Sequence, residues 1–216
     1  MFSISIYSIS NIGLMEQKDT YKTITKPSEE VLFKDKNSKF YGYAFPVSSE
    51  DDVKLKIDEL KKLHYAARHW CYAYQLGTEK TRYRANDDGE PNNSAGMPIY
   101  GQIQSFDITN TLIVVVRYFG GVKLGVGGLI NAYRTATQMA LENSQILEKT
   151  IDITFSLKFD YKNMSRIMRI LKDNDANINS QKLEMNCLLE VSIRKSSAKK
   201  LYDTINKFHE VKISYL

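Results

Sequence analysis

Three short segments hold most of the residues able to do chemistry. The richest is Arg117-Tyr118-Phe119-Gly120-Gly121-Val122-Lys123-Leu124-Gly125-Val126-Gly127-Gly128. Glycines accept positive φ and let backbone come close, and a helix starting here presents unpaired N–H groups. Such a loop can cradle a phosphate or carboxylate, with Arg117 and Lys123 adding charge. No Gly-Lys-Ser/Thr opens the helix, which excludes a P-loop, and Ile130 stands where the dinucleotide pattern needs its third glycine. The same residues equally suit a tight turn that packs backbone on backbone.

Asp87-Asp88-Gly89-Glu90-Pro91 is the second segment, with Ser94-Ala95-Gly96-Met97-Pro98 close behind. Its carboxylates can hold a divalent cation, receive basic groups of a partner or act as an acid/base pair, although the spacing is not that of an EF-hand. They can also form an Asx-rich turn that caps a helix at Pro98, or pair internally with Arg68, Arg82 or Arg117. The third segment is Arg68-His69-Trp70-Cys71-Tyr72-Ala73-Tyr74. Strand alternation puts His69, Cys71 and Ala73 on one face and Trp70, Tyr72 and Tyr74 on the other. His beside Cys suggests a nucleophile pair or half a metal site, but no CxxC, HExxH or GxSxG accompanies them, and a buried thiol with a hydrogen-bonded imidazole fits as well. The aromatic face can stack bases or pack a helix.

The elements that must position these segments follow from periodicity. Residues 21–25, 30–36 and 39–47 read as strands. Ser48-Ser49 caps a helix with Glu50, Asp51 and Asp52 in its first turn and Val53, Ile57, Leu60 and Leu63/His64 on its apolar stripe. Strands are expected at 69–75 and 81–85, a polar loop at 86–94, and a short helix from Pro98 carrying Ile99, Ile103 and Phe106. Residues 111–119 are nearly all apolar, as in a strand buried on both faces. A helix with Leu129, Ala132, Tyr133, Ala136 and Met139/Ala140 inward follows, and the pattern breaks over 143–149. Beyond it, strand 151–159, helix 162–173, strands 176–183 and 185–194, helix 197–208 and strand 211–215 spell βαββαβ, a ferredoxin-like order, with Ser196 or Ser197 capping the second helix.

Composition limits the classes. The 216 residues are 43% hydrophobic and 25% charged, which is globular, and no apolar run approaches the roughly 20 residues of a membrane-spanning helix. Two cysteines, Cys71 and Cys187, make no disulfide framework and point to a reducing cytoplasm. The net charge of +5 is uneven: 17 Lys/Arg face 16 Asp/Glu through residue 147, and 13 face 9 beyond it. A basic C-terminal third permits contact with nucleic acid.

In order and content, residues 67–77 (ARHWCYAYQLG), 87–98 (DDGEPNNSAGMP) and 117–133 (RYFGGVKLGVGGLINAY), with Ser38-Lys39-Phe40 ahead of them, resemble the signature blocks of the IMPACT (YigZ) family. Trp70 departs from the His or Asn usual there, and Asn92-Asn93-Ser94 from the usual Ser/Ala-Gly-Thr. The resemblance implies an α+β chain: an N-terminal domain similar to domain 2 of ribosomal protein S-five over 20–145 and a ferredoxin-like domain over 150–216. Residues 1–19 would be an N-terminal extension and a candidate for disorder. It further implies regulation of translation, as in eukaryotic relatives, through RNA, the ribosome or a protein partner in translation control. No membrane, cofactor, metal or catalytic residue is expected. The binding residues expected are Arg117, Tyr118, Gly120, Gly121, Lys123, Gly125, Gly127, Gly128, Arg68 and His69, beside the acidic loop of Asp87, Asp88 and Glu90. The alternative is an enzyme that holds a phosphorylated or anionic small molecule at the glycine-rich loop, with Asp88 or Glu90 as base.

Overall fold

The computed structural model describes residues 18–216, so residues 1–17 of the expected extension lie outside the described residues. The chain is mixed α/β and divides into two compact units, Tyr21–Lys149 and Thr150–Leu216, the latter including residues 18–20. Among the described residues no helix is long and apolar enough to cross a membrane.

In the first unit the elements run β1 (Thr20–Ile24), β2 (Val31–Asp35), β3 (Ser38–Pro46), α1 (Glu50–Leu63), β4 (His69–Leu76), β5 (Arg82–Asn86), α2 (Gly96–Ser105), β6 (Thr111–Tyr118), α3 (Gly125–Glu142) and β7 (Ile146–Thr150). Five strands form an antiparallel sheet in the order β2-β3-β6-β4-β5. The apolar run at β6 is its centre, buried from Thr111 to Arg117. Helices α2 and α3 cover one face through Ile99, Ile103, Ala132, Tyr133 and Ala136, and α1 covers the other through Val53, Ile57 and Leu60. Lys36 and Asn37, both at positive φ, make the two-residue loop that turns β2 into β3.

Helix α1 starts as its sequence dictates. Ser49 Oγ accepts from Asp52 N at 3.1 Å, and Asp52 answers by accepting from Ser49 N at 3.0 Å. The break expected over 143–149 is instead partly strand: β7 pairs with β1. Its residues are mostly exposed, so backbone pairing holds it without an apolar period to announce it.

The second unit runs β8 (Asp152–Asp160), α4 (Met164–Asp173) after a turn of 3-10 helix, β9 (Asn177–Lys182), β10 (Asn186–Arg194), α5 (Lys195–Asn206) and β11 (Val211–Tyr215). Its antiparallel sheet has the order β11-β8-β10-β9. Phe155, Leu157, Leu189 and Val191 pack under Ile167 and Leu171 of α4 and Ala198, Leu201 and Ile205 of α5. The expected serine cap of α5 is absent. The helix begins at Lys195, whose N–H bonds Ile151 O at 2.8 Å, and Ser196 bonds the Asp19 carboxylate. Asp19 also takes Arg194 Nε at 2.6 Å, so the chain is already anchored there.

Candidate functional site

Strand register brings the three chemical segments together. In the sheet, Arg117 of β6 lies opposite Phe40 of β3 on one side and His69 of β4 on the other. The guanidinium is buried beneath α3, its centre 5.4 Å from the Phe40 ring and 5.5 Å from the Phe119 ring. Arg117 Nη1 donates to Glu90 Oε1 at 2.6 Å, and the two side chains are only 6% and 4% exposed. Glu90 Oε1 also accepts from Tyr133 Oη at 2.8 Å, and Tyr133 Oη lies 3.2 Å from Cys71 Sγ. A thiol, a phenol, a carboxylate and a guanidinium thus form one buried chain.

The neighbouring acids serve the backbone. Asp87 Oδ1 accepts from Ala95 N at 2.9 Å and Gly96 N at 2.8 Å, capping α2, while its Oδ2 accepts from Asn93 N at 2.8 Å. Asp88 Oδ2 accepts from Trp70 N at 2.7 Å. Because Asp88 O can only accept, the 2.8 Å bond to His69 Nδ1 puts a proton on Nδ1. Of the alternatives open at the acidic segment, the structure realises the helix cap and the pairing with Arg117. Arg68 and Arg82 are exposed.

Burial pushes the Cys71 thiol well above its ordinary value, which the Tyr133 hydrogen bond only partly offsets. The thiolate that nucleophilic chemistry requires is therefore suppressed. Burial likewise raises Tyr133. Among the described residues no His/Cys/Asp/Glu group has the arrangement of a metal site.

The glycines divide into two kinds. A β-carbon on Gly120 would lie 2.1 Å from Asn37 C, and one on Gly96 would lie 2.5 Å from Asn86 N, so both positions are packed backbone to backbone. Gly120 N also donates to Ser38 Oγ at 3.1 Å. At Gly121, Gly125 and Gly127 an added β-carbon meets nothing, and at Gly128 it presses on Leu124 at 3.0 Å. The open stretch carries the exposed side chains of Phe119, Val122, Lys123 and Val126. Tyr118 turns to the opposite face of the sheet, where its hydroxyl meets His64 Nδ1 at 3.1 Å. With Arg68, Ala66 and Phe119 it lines a hollow of about 180 Å³.

Two polar participants were not singled out from the sequence. Tyr133 reads only as a core position of α3, although a tyrosine in an otherwise apolar stripe needs a partner for its hydroxyl. His64 reads only as the end of the α1 stripe, yet its Nε2 meets Tyr43 Oη at 2.6 Å and Tyr43 bonds Glu30.

Known proteins resemble this chain in sequence and fold. A family model described as the Impact N-terminal domain matches residues 36–141. The IMPACT family member YvyE of Bacillus subtilis is 34% identical over 155 residues, 72% of this chain and 71% of its own length. An IMPACT family member of Haemophilus influenzae is 32% identical over 171 residues, 77% of this chain and 83% of its own. A crystal structure of a hypothetical protein shares the fold, with a TM-score of 0.69 over 92% of this chain and 98% of that one at 24% identity.

Proposed function

The chain belongs to the IMPACT family, and on that footing we propose that it regulates translation by binding, without catalysing a reaction. The observation that carries this is how the buried charges are used. Asp87 caps α2, Glu90 neutralises Arg117, and the Cys71 thiol stays protonated, so the signature segments hold one another. What they display outward is the loop with Phe119, Val122, Lys123 and Val126 exposed, with the exposed Arg68 beside Phe119. Exposed apolar side chains flanked by Lys123 and Arg68 suit a macromolecular partner on the translation machinery.

The N-terminal unit is then an S-five-domain-2-like module and the C-terminal one a ferredoxin-like module, a reading that the β11-β8-β10-β9 order supports. RNA, the ribosome or a translation protein would be the partner, in the cytoplasm. The enzyme alternative has less support, because the bases it needs are occupied: Glu90 by Arg117 and Asp88 by Trp70 N. Co-sedimentation with ribosomes at low salt tests the proposal. Wild type should sediment, and Lys123→Glu/Val126→Glu should stay in the supernatant with an unchanged melting temperature. Wild type that never sediments overturns it.

A further inference from the structure

The face of the C-terminal sheet turned away from α4 and α5 carries a row of lysines. In register, Lys212 of β11 lies opposite Lys158 of β8, Lys158 opposite Leu188 of β10, and Leu188 opposite Lys182 of β9. Directly opposed residues have Cα atoms about 5 Å apart, and like charges at that spacing repel. Lys182 is met by Glu184 at 3.2 Å, but among the described residues no ion pair is formed by Lys158 or Lys212. The next row along the strands is Ser214, Ser156, Glu190 and Ser180, which adds three hydroxyls and one carboxylate. Lys158, Lys212, Ser156, Ser214, Leu188 and His209 line a hollow of about 620 Å³ on this surface.

We propose that this open sheet face is a binding site for the phosphodiester backbone of single-stranded RNA, laid across the strands over Lys212, Lys158 and Lys182. A phosphate between Lys158 and Lys212 turns their repulsion into attraction, and the serine hydroxyls supply donors and acceptors for phosphate and 2′-hydroxyl groups. Leu188 is the one apolar side chain in the lysine row, which is too little to anchor a lipid surface. No aromatic side chain projects from the two rows, and Phe208 in the hollow is already covered by the Arg166 guanidinium at 3.6 Å, so binding rests on the backbone and is sequence-tolerant and steeply salt-dependent. The inference deepens the translation reading and rests on it for the choice of RNA.

The test is fluorescence anisotropy of the full chain with a labelled single-stranded RNA oligonucleotide over a salt series, for wild type and Lys158→Gln/Lys212→Gln. Each phosphate contact contributes about 0.7 to the slope of log K against log salt, so the variant should lose about 1.4 of that slope. The gap between the two proteins then shrinks about sevenfold from roughly 50 to 200 mM salt. The variant should be no less stable, since it loses a repulsion. An unchanged slope, no RNA binding by wild type at low salt, or binding to anionic vesicles in place of RNA overturns the proposal. Ribosome sedimentation, read in parallel, separates the two readings. RNA binding through the lysines without ribosome association sinks the translation reading alone, and ribosome association with an unchanged RNA slope sinks this one alone.

Discussion

Replacing Glu90 with alanine strands the Arg117 charge beneath α3. Its Nη1 loses the 2.6 Å bond, its Nε already lacks a partner among the described residues, and the side chain is only 6% exposed. Removing one member of a buried ion pair costs about 3–5 kcal/mol. Tyr133 Oη simultaneously loses its acceptor, worth about 1 kcal/mol more. The expected loss is therefore about 4–6 kcal/mol, comparable to the whole stability of a marginal domain. Urea unfolding read by tryptophan fluorescence isolates the effect, because Trp70, the only tryptophan, lies in the unit that holds the pair. With an m-value near 2 kcal/mol/M, the midpoint should fall by about 2–3 M. Arg117→Met should cost about 3–5 kcal/mol alone, because Glu90 is then the stranded charge. Glu90→Leu/Arg117→Met should recover much of either loss, since an apolar pair of similar volume often replaces a buried ion pair at little cost. Single variants costing less than about 1 kcal/mol, or a double variant equal to the sum of its parts, would refute the reasoning.

Two further outcomes follow from the same geometry. Gly120→Ala should destabilise by at least about 1–3 kcal/mol, because its β-carbon meets backbone at 2.1 Å, whereas Gly127→Ala, with nothing near and a helical position, should stabilise by about 0.5–1 kcal/mol; thermal melts of the pair check both. Burial lowers the His64 pKa below 6.5, with Glu30 opposing the shift, so the folded state favours neutral imidazole. That contribution is fully present above pH 6.5 and is lost as pH falls through the folded-state pKa; stability measured from pH 7.5 to 5 should drop less in His64→Gln than in wild type.

Much of the scaffold was legible because its signals are local. The apolar run of β6 and the charge order and period of α1 depend on neighbours in sequence alone. The segment β7 was not legible, since exposed strand held by pairing with β1 has no period. Nor was the α5 cap: Ser196 and Ser197 are suitable types, but Ile151 O had already taken the first amide. At the site, spacing alone left Arg68, Arg82 and Arg117 as partners for the acidic segment. Register chose among them, by placing Arg117 between Phe40 and His69 on the face covered by α3. Partner choice across 27 residues, as between Glu90 and Arg117, is a property of the assembled sheet.

The strand order β2-β3-β6-β4-β5 also sets a schedule for biosynthesis. Neither β3 nor β4 pairs with the other; both wait for β6, whose last residue follows the end of β3 by about 70 positions. At roughly 5–20 residues per second, β3 stands finished for about 4–14 s before its central partner is complete. Until then the nascent chain can close only the hairpins β2–β3 and β4–β5, each with an unpaired edge. Unpaired edges bearing apolar side chains recruit other chains. A chain truncated before Thr111 lacks the strand that joins the two hairpins, so its β3 and β4 edges stay open to pairing with other chains until Tyr118 is made.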